Sequence, residues 1–200
     1  MRGFSTSPRV RLARTKCLTA LAVTVIAALG PSLGTANAAG PGCGDATTAA
    51  TRLSPVAART AVRCLINEQR AAHGLPPLRN SRRLASSAQS WVTKLVVSDA
   101  FDHGNIAARV LAAGIKFAFA GEDLATGQAT PRQVVGAWMA SPDHCRNILS
   151  PEFSELGTGV SPHPILGWAT GPSTWAADFV LPRGHRAPSR NWRPANGCPY

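Results

Sequence analysis

The chain has 200 residues, 44% of them hydrophobic and 16% charged, with a formal net charge of +11. Most of that charge sits at the two ends: Arg2, Arg9, Arg11, Arg14 and Lys16 at the start, and Arg183, Arg186, Arg190 and Arg193 in the last stretch. The part between carries 12 basic against 10 acidic residues, with no basic stripe interleaved with aromatics, which argues against nucleic-acid binding as the main role.

The N-terminus reads as an export address. Its basic residues precede an uncharged apolar run at 18–29, broken by Gly30-Pro31, and Ala36-Asn37-Ala38 supplies small residues for a cut after Ala38. A run of 12 residues is short of the ~20 that span a bilayer. Neither Cys17 nor Cys43 sits in a lipid-attachment box. Residues 1–38 therefore predict a signal peptide, and the product is expected to be secreted and not membrane-spanning. Four cysteines follow the cut: Cys43, Cys64, Cys145 and Cys198. An even number in an exported chain points to two disulfides, and the absence of Cys-x-x-Cys argues against redox or zinc-ribbon chemistry. Three pairings are open.

After a small, polar, Gly/Pro-rich lead-in held by Cys43, the spacing predicts a helix over 55–73. Val62, Leu65, Ile66 and Gln69 line one face, and Gly74 supplies the stop. Leu75-Pro76-Pro77-Leu78 is a rigid connector. Asn80 or Ser81 caps a second helix whose stripe of Leu84, Ala88, Trp91 and Leu95 is expected in the core. Residues 106–113 read as a short helix closed by Gly114, and 117–120 as a strand or extended run leading into Gly121. Thr130-Pro131-Arg132-Gln133 is a capping box with proline at the first helical position. It opens a helix with Val134, Val135, Trp138 and Met139 on its apolar face. Ser141-Pro142 stops that helix, and a short apolar turn is expected after His144. Residues 155–160 and 174–181 read as strands, joined by a loop with His163 and Trp168. Helices first and strands later predict an α+β fold. From Pro182 the chain turns to Pro, Arg, Ser and Asn, a poorly ordered basic tail suited to anionic cell-surface polymers or lipid head groups.

Six segments carry a family likeness in order. They are Cys64-Leu65-Ile66-Asn67-Glu68-Gln69-Arg70 with His73-Gly74-Leu75-Pro76-Pro77-Leu78; Phe101-Asp102-His103; Gly121-Glu122-Asp123-Leu124-Ala125; Ser141-Pro142-Asp143-His144-Cys145-Arg146-Asn147-Ile148-Leu149; Phe153-Ser154-Glu155-Leu156-Gly157; and Trp175-Ala176-Ala177-Asp178-Phe179. Together they resemble the CAP superfamily, named for cysteine-rich secretory proteins, antigen 5 and pathogenesis-related proteins of class 1, in its bacterial secreted form. The resemblance implies a three-layer α-β-α sandwich. It divides the chain into signal peptide (1–38), lead-in (39–58), CAP/SCP domain (59–182) and a basic tail (183–200) tethered by Cys198. It also implies the disulfides Cys43–Cys64 and Cys145–Cys198, the second strapping the tail beside His144.

The same resemblance maps the family's cleft to His103, Glu122 and His144. Two imidazoles and a carboxylate are a ligand set for a divalent cation, zinc first, although the spacing matches no local metal motif. The chain departs from the family in three ways. Ser141 stands where many eukaryotic relatives carry a second glutamate, Asp123 replaces an asparagine, and the loop after His103 is short, which lowers one wall of the cleft. A zinc hydrolase needs three ligands and a separate base, and only one glutamate maps. Ser-Pro after a helix is a stop signal, so Ser141 is not expected to act as a nucleophile. The reading is a non-enzymatic extracellular binding protein with a His/Glu cleft able to take a divalent cation. Its rivals are a peptidase-like metal-dependent hydrolase and a lipid or sterol carrier, with a groove near Phe117, Phe119 or Trp168.

Overall fold

The computed structural model of the chain describes residues 42–187 and Cys198. The predicted signal peptide and most of the predicted tail lie outside the described residues.

Among the described residues a short 3-10 helix (Ala50–Arg52), five α-helices and four strands follow in chain order. Helix α1 spans Pro55–Ala72, with the Ser54 hydroxyl accepting from the Ala57 N–H at 3.1 Å. It is followed by β1 (Arg79–Asn80), α2 (Arg82–Ser98), α3 (Ile106–Ala112) and β2 (Phe117–Thr126). Then come α4 (Pro131–Met139), α5 (Pro142–Ile148), β3 (Glu155–Ser161) and β4 (Thr174–Pro182). The capping box opens α4 as read from sequence, with Thr130 and Gln133 bonding reciprocally. The strands form one sheet in the order β1-β3-β4-β2, with β1 parallel to β3 and the other pairs antiparallel.

Alternate residues of a strand point to opposite faces, so the sheet buries two different sets. Leu156, Val160, Trp175, Ala177 and Phe179 pack against apolar side chains of α1, α4 and α5. On the other face, Leu124 and Ala176 meet Ala88, Val92 and Leu95 of α2, while Val180 meets Leu84, Val110 and Ile115. Helices cover both sides, giving the α-β-α sandwich. Layer separation is smallest over β3: a Cβ on Gly157 would lie 2.3 Å from the α2 backbone, and one on Gly159 would lie 2.5 Å from the Ala88 carbonyl oxygen. Only glycine permits that approach.

Three local expectations change. Trp91 is half-buried; Val92 takes the core position, because Leu84, Ala88, Val92 and Leu95 trace the buried stripe of α2. The Ser141-Pro142 stop is also a start. Ser141 becomes the N-cap and Pro142 the first residue of α5, so His144 stands on a helix and not before a turn. The lead-in is held by more than Cys43. Ala46 and Ala50 are buried, the Ala50 N–H donates to the Ala129 carbonyl, and the Arg132 N–H donates to the Ala46 carbonyl.

Two side chains stitch elements together. Arg70, fully buried, donates to the carbonyls of Pro76, Ile148 and Ser150 at 2.8–2.9 Å, closing the ends of α1 and α5; burial lowers its pKa to about 10. Gln89 of α2 bonds Val160 of β3 in both directions, donating to its carbonyl at 2.8 Å and accepting from its N–H at 3.1 Å, as a neighbouring strand would. Both disulfides are formed, Cys43–Cys64 and Cys145–Cys198.

Candidate functional site

Glu122 lies inside β2, a strand at the sheet's edge, and faces the α2–α3 layer together with Leu124. Its side chain is 1% exposed. A carboxylate that deep needs partners, and it has one for each oxygen. Oε1 bonds His103 Nδ1 at 2.8 Å, and Oε2 is ion-paired with the Arg109 guanidinium. Arg109 stands on α3, donates also to the His103 carbonyl, and lies 4.1 Å over the Trp91 ring. The Trp91 indole N–H in turn donates to the Asp102 carbonyl at 3.1 Å. Between them, Gly104 takes φ +54°, and a Cβ there would come within 2.6 Å of the Trp91 ring. The short loop after His103 is thus pinned at both ends, and His103, half exposed, is held in a fixed orientation.

His144 reaches the same edge from the opposite layer. Its helix is anchored by Asn147, whose amide donates to Asp123 Oδ1 at 2.7 Å and to the Glu122 carbonyl at 3.3 Å. Glu122 and Asp123, adjacent in sequence, therefore serve opposite faces of β2. The two histidines lie near enough that His144 senses the charge of His103, and their pKa values move apart. The bond to Glu122 raises that of His103 against an opposing effect of burial. Burial chiefly, then the His103 charge, lowers that of His144. His103 inclines to the imidazolium form and His144 to the neutral one.

A third acid belongs to the cluster. Asp178 on β4 sits in register opposite Glu122, is fully buried, and has no hydrogen-bond donor at either oxygen among the described residues. Burial, reinforced by the Glu122 charge, pushes its pKa well up. Two carboxylates cannot bond each other until one is protonated, so Asp178 is read as a neutral acid whose proton goes to Glu122.

Of the three residues expected in the cleft, the structure joins His103 to Glu122 directly and sets His144 beside them. As arranged, the three do not bring one ligand atom each within 4.8 Å of one another. Among the described residues, only Cys43, Cys64 and Glu68 bring three His, Cys, Asp or Glu ligand atoms within 4.8 Å of one another, and those cysteines are spent in a disulfide. A positive charge already lies on Glu122, in the form of Arg109. Arg109, Asp178 and Asn147 escaped the sequence reading. Arg109 is one cation in a short helix, paired across tertiary space. Asp178 did leave a signal: an acid inside the apolar run Trp175-Ala176-Ala177-Asp178-Phe179-Val180-Leu181 has to be paired or neutral.

A three-layer α-β-α domain with two histidines and a buried glutamate at the edge of its sheet is the arrangement that the six sequence segments imply. Residues 64–167 match the model of the CAP (cysteine-rich secretory protein) family, and the chain belongs to that family. It is similar to an uncharacterized protein, YkwD, of Bacillus subtilis, with 34% identity over 121 residues covering 58% of this chain and 44% of that protein. The chain thus spans less than half the length of that relative. Among solved structures it is similar to an extracellular SCP-domain protein from Bacillus anthracis (21% identity, TM-score 0.54, covering 64% of this chain and 44% of that one). It is also similar to an outer surface protein of Borrelia burgdorferi (21% identity, TM-score 0.54, 61% and 90% covered). At these identities the likeness speaks for the fold. No helix among the described residues is long and apolar enough to cross a membrane.

Proposed function

We propose that the chain is a secreted, non-enzymatic binding protein that receives its ligand at His103, Glu122 and His144. The observation that supports this most is the double commitment of Glu122, one oxygen to His103 and the other to Arg109. A metal-dependent hydrolase needs a ligand set and a free base, and Glu122 serves as neither without giving up a partner. The face left open is two imidazoles of opposite protonation tendency, which suits a polar ligand. The extracellular and outer-surface descriptions of the similar structures support secretion.

A divalent cation enters this proposal under a condition: it competes with Arg109 for Glu122. Calorimetric zinc titration of the chain from Ala39 onward tests this. Weak binding is expected in the wild type, at least about tenfold tighter binding in Arg109→Ala, and loss when His103→Ala or His144→Ala is added. No zinc uptake by any variant removes the cation and leaves the cleft. Cleavage of a peptide library that disappears with a chelator and in Glu122→Ala would overturn the non-enzymatic reading. Contact with a lipid or sterol is favoured by Leu166, 79% exposed, and Trp168, 62% exposed and packed on Phe101. Extraction of the protein from its host's medium with no co-purified lipid counts against it.

A further inference from the structure

Helix α2 carries no acidic residue over its whole length. Two grooves run along it. One, of about 460 Å³, lies between α2 and α3 and includes Arg83 and Lys94, with Arg109 at its edge. The other, of about 330 Å³, lies between α2 and the start of α1 and includes Arg59, Arg63 and Arg82. Ser86 and Ser90 line both, so the grooves adjoin across the outer face of one helix. No carboxylate lines either. Of these six cations, only Arg109 is ion-paired with an acid among the described residues.

This arrangement is unfavourable for the isolated domain. Arg82 and Arg83 occupy the first turn of α2, where the helix dipole disfavours positive charge, and no acid there offsets them. Five cations without an acid partner surround adjoining depressions and repel one another; Arg59, Arg83 and Lys94 are steadied only by Gln89, the Gly114 carbonyl and the Trp91 ring, and a bound anion relieves that repulsion. Arg82 and Lys94 are separated by roughly 18 Å along the helix axis, more than one small anion covers. The face is furrowed and lined by serine, which suits a narrow polar chain better than a bilayer.

We propose that this face binds an extended phosphodiester-linked polymer without nucleobases, lying along α2; Trp91, the one aromatic lining the grooves, already carries Arg109 and Lys94 on its ring and offers no platform for stacked bases. Four of the five cations without an acid partner are arginines, whose planar forks each meet two phosphate oxygens, and the shared serines offer hydroxyls to polar linkers. The site borders the His/Glu cleft through Arg109 and Trp91, while its five cations without an acid partner lie outside that cleft.

Binding of the chain from Ala39 onward to a synthetic poly(glycerol phosphate), a phosphodiester chain without bases, measured over a salt series, tests the proposal. The groove variant is Arg82→Ala/Arg83→Ala/Lys94→Ala. The control, Arg52→Ala/Arg132→Ala/Arg186→Ala, removes equal charge from exposed positions elsewhere, one of them in the tail. The groove variant is expected to lose at least about tenfold in affinity, and its slope of log affinity on log salt to become shallower by about three. The control is expected to change affinity by less than about threefold. Because the dipole disfavours Arg82 and Arg83, the groove variant is also expected to melt no lower than wild type. Glutamine at the same three positions repeats the measurement if the alanine variant folds poorly. Equal loss in both variants, or no binding by the wild type, overturns the proposal. Tighter binding to heparin or to phosphatidylglycerol vesicles through the same residues overturns the choice of a phosphate polymer.

Discussion

Arg109 is the one full positive charge facing Glu122 and Asp178, and the second acid is accommodated by holding its proton. Asp123, fully buried on the other face of β2, behaves alike: burial pushes its pKa well above 3.8. Each acid keeps its proton in the fold at pH values where the unfolded chain has lost it, so stability falls as pH rises from about 3.8 towards the folded-state values. His103 adds to this with the same sign. Its raised pKa contributes fully below 6.5 and fades as pH passes the folded-state value. His144, whose pKa burial lowers, acts with the opposite sign, one group against three. The melting temperature is therefore expected to be lower at about pH 8 than at about pH 5. Asp178→Asn should be more stable than wild type at the higher pH and close to it at the lower, flattening the profile. A steeper profile in that variant would count against a neutral Asp178. The sequence made His103, Glu122 and His144 legible through family wording. It hid Arg109, because a pairing that joins α3 to β2 leaves no mark in local spacing.

The elements were legible where periodicity and capping agree. Helix α1 announces itself through its apolar face and the Gly74 stop, α4 through Thr130-Pro131 and its own apolar face, and β3 and β4 through their residue types, whereas two-residue β1 left no signal. Helix α5 was hidden because Ser141-Pro142 ends one helix and starts the next. Trp91 misled because an aromatic at helical spacing reads as core, whereas its ring lies under Arg109 at the site's margin. The closest contact between layers also left only a faint signal, in Gly157 and Gly159 either side of Thr158. Neither the helix backbone nor the sheet can yield easily there. Gly159→Ala, placing a methyl carbon 2.5 Å from the Ala88 carbonyl oxygen, is expected to lower stability by about 3 kcal/mol. Urea unfolding checks this, and a loss under about 1 kcal/mol would mean that α2 slides freely over β3.

For the molecule as a whole, the two disulfides tie the ends of the described chain to its helices. Cys43–Cys64 fixes the lead-in to α1, and Cys145–Cys198 fixes the C-terminal region to the helix that carries His144. Closing loops of 21 and 53 residues contributes on the order of 3 to 4 kcal/mol each in the chain-entropy view. Protection of another kind comes from Gln89. Strand β1 covers only the first two residues of β3, at Glu155 and Leu156, and beyond them the amide of Gln89 is what Val160 meets in place of a strand. An uncovered strand edge is a template for a second molecule. Gln89→Ala is expected to stay monomeric when dilute and to assemble through β3 as concentration rises, seen by light scattering. One glutamine thus acts as a guard against self-association, keeping each copy available to foreign ligands.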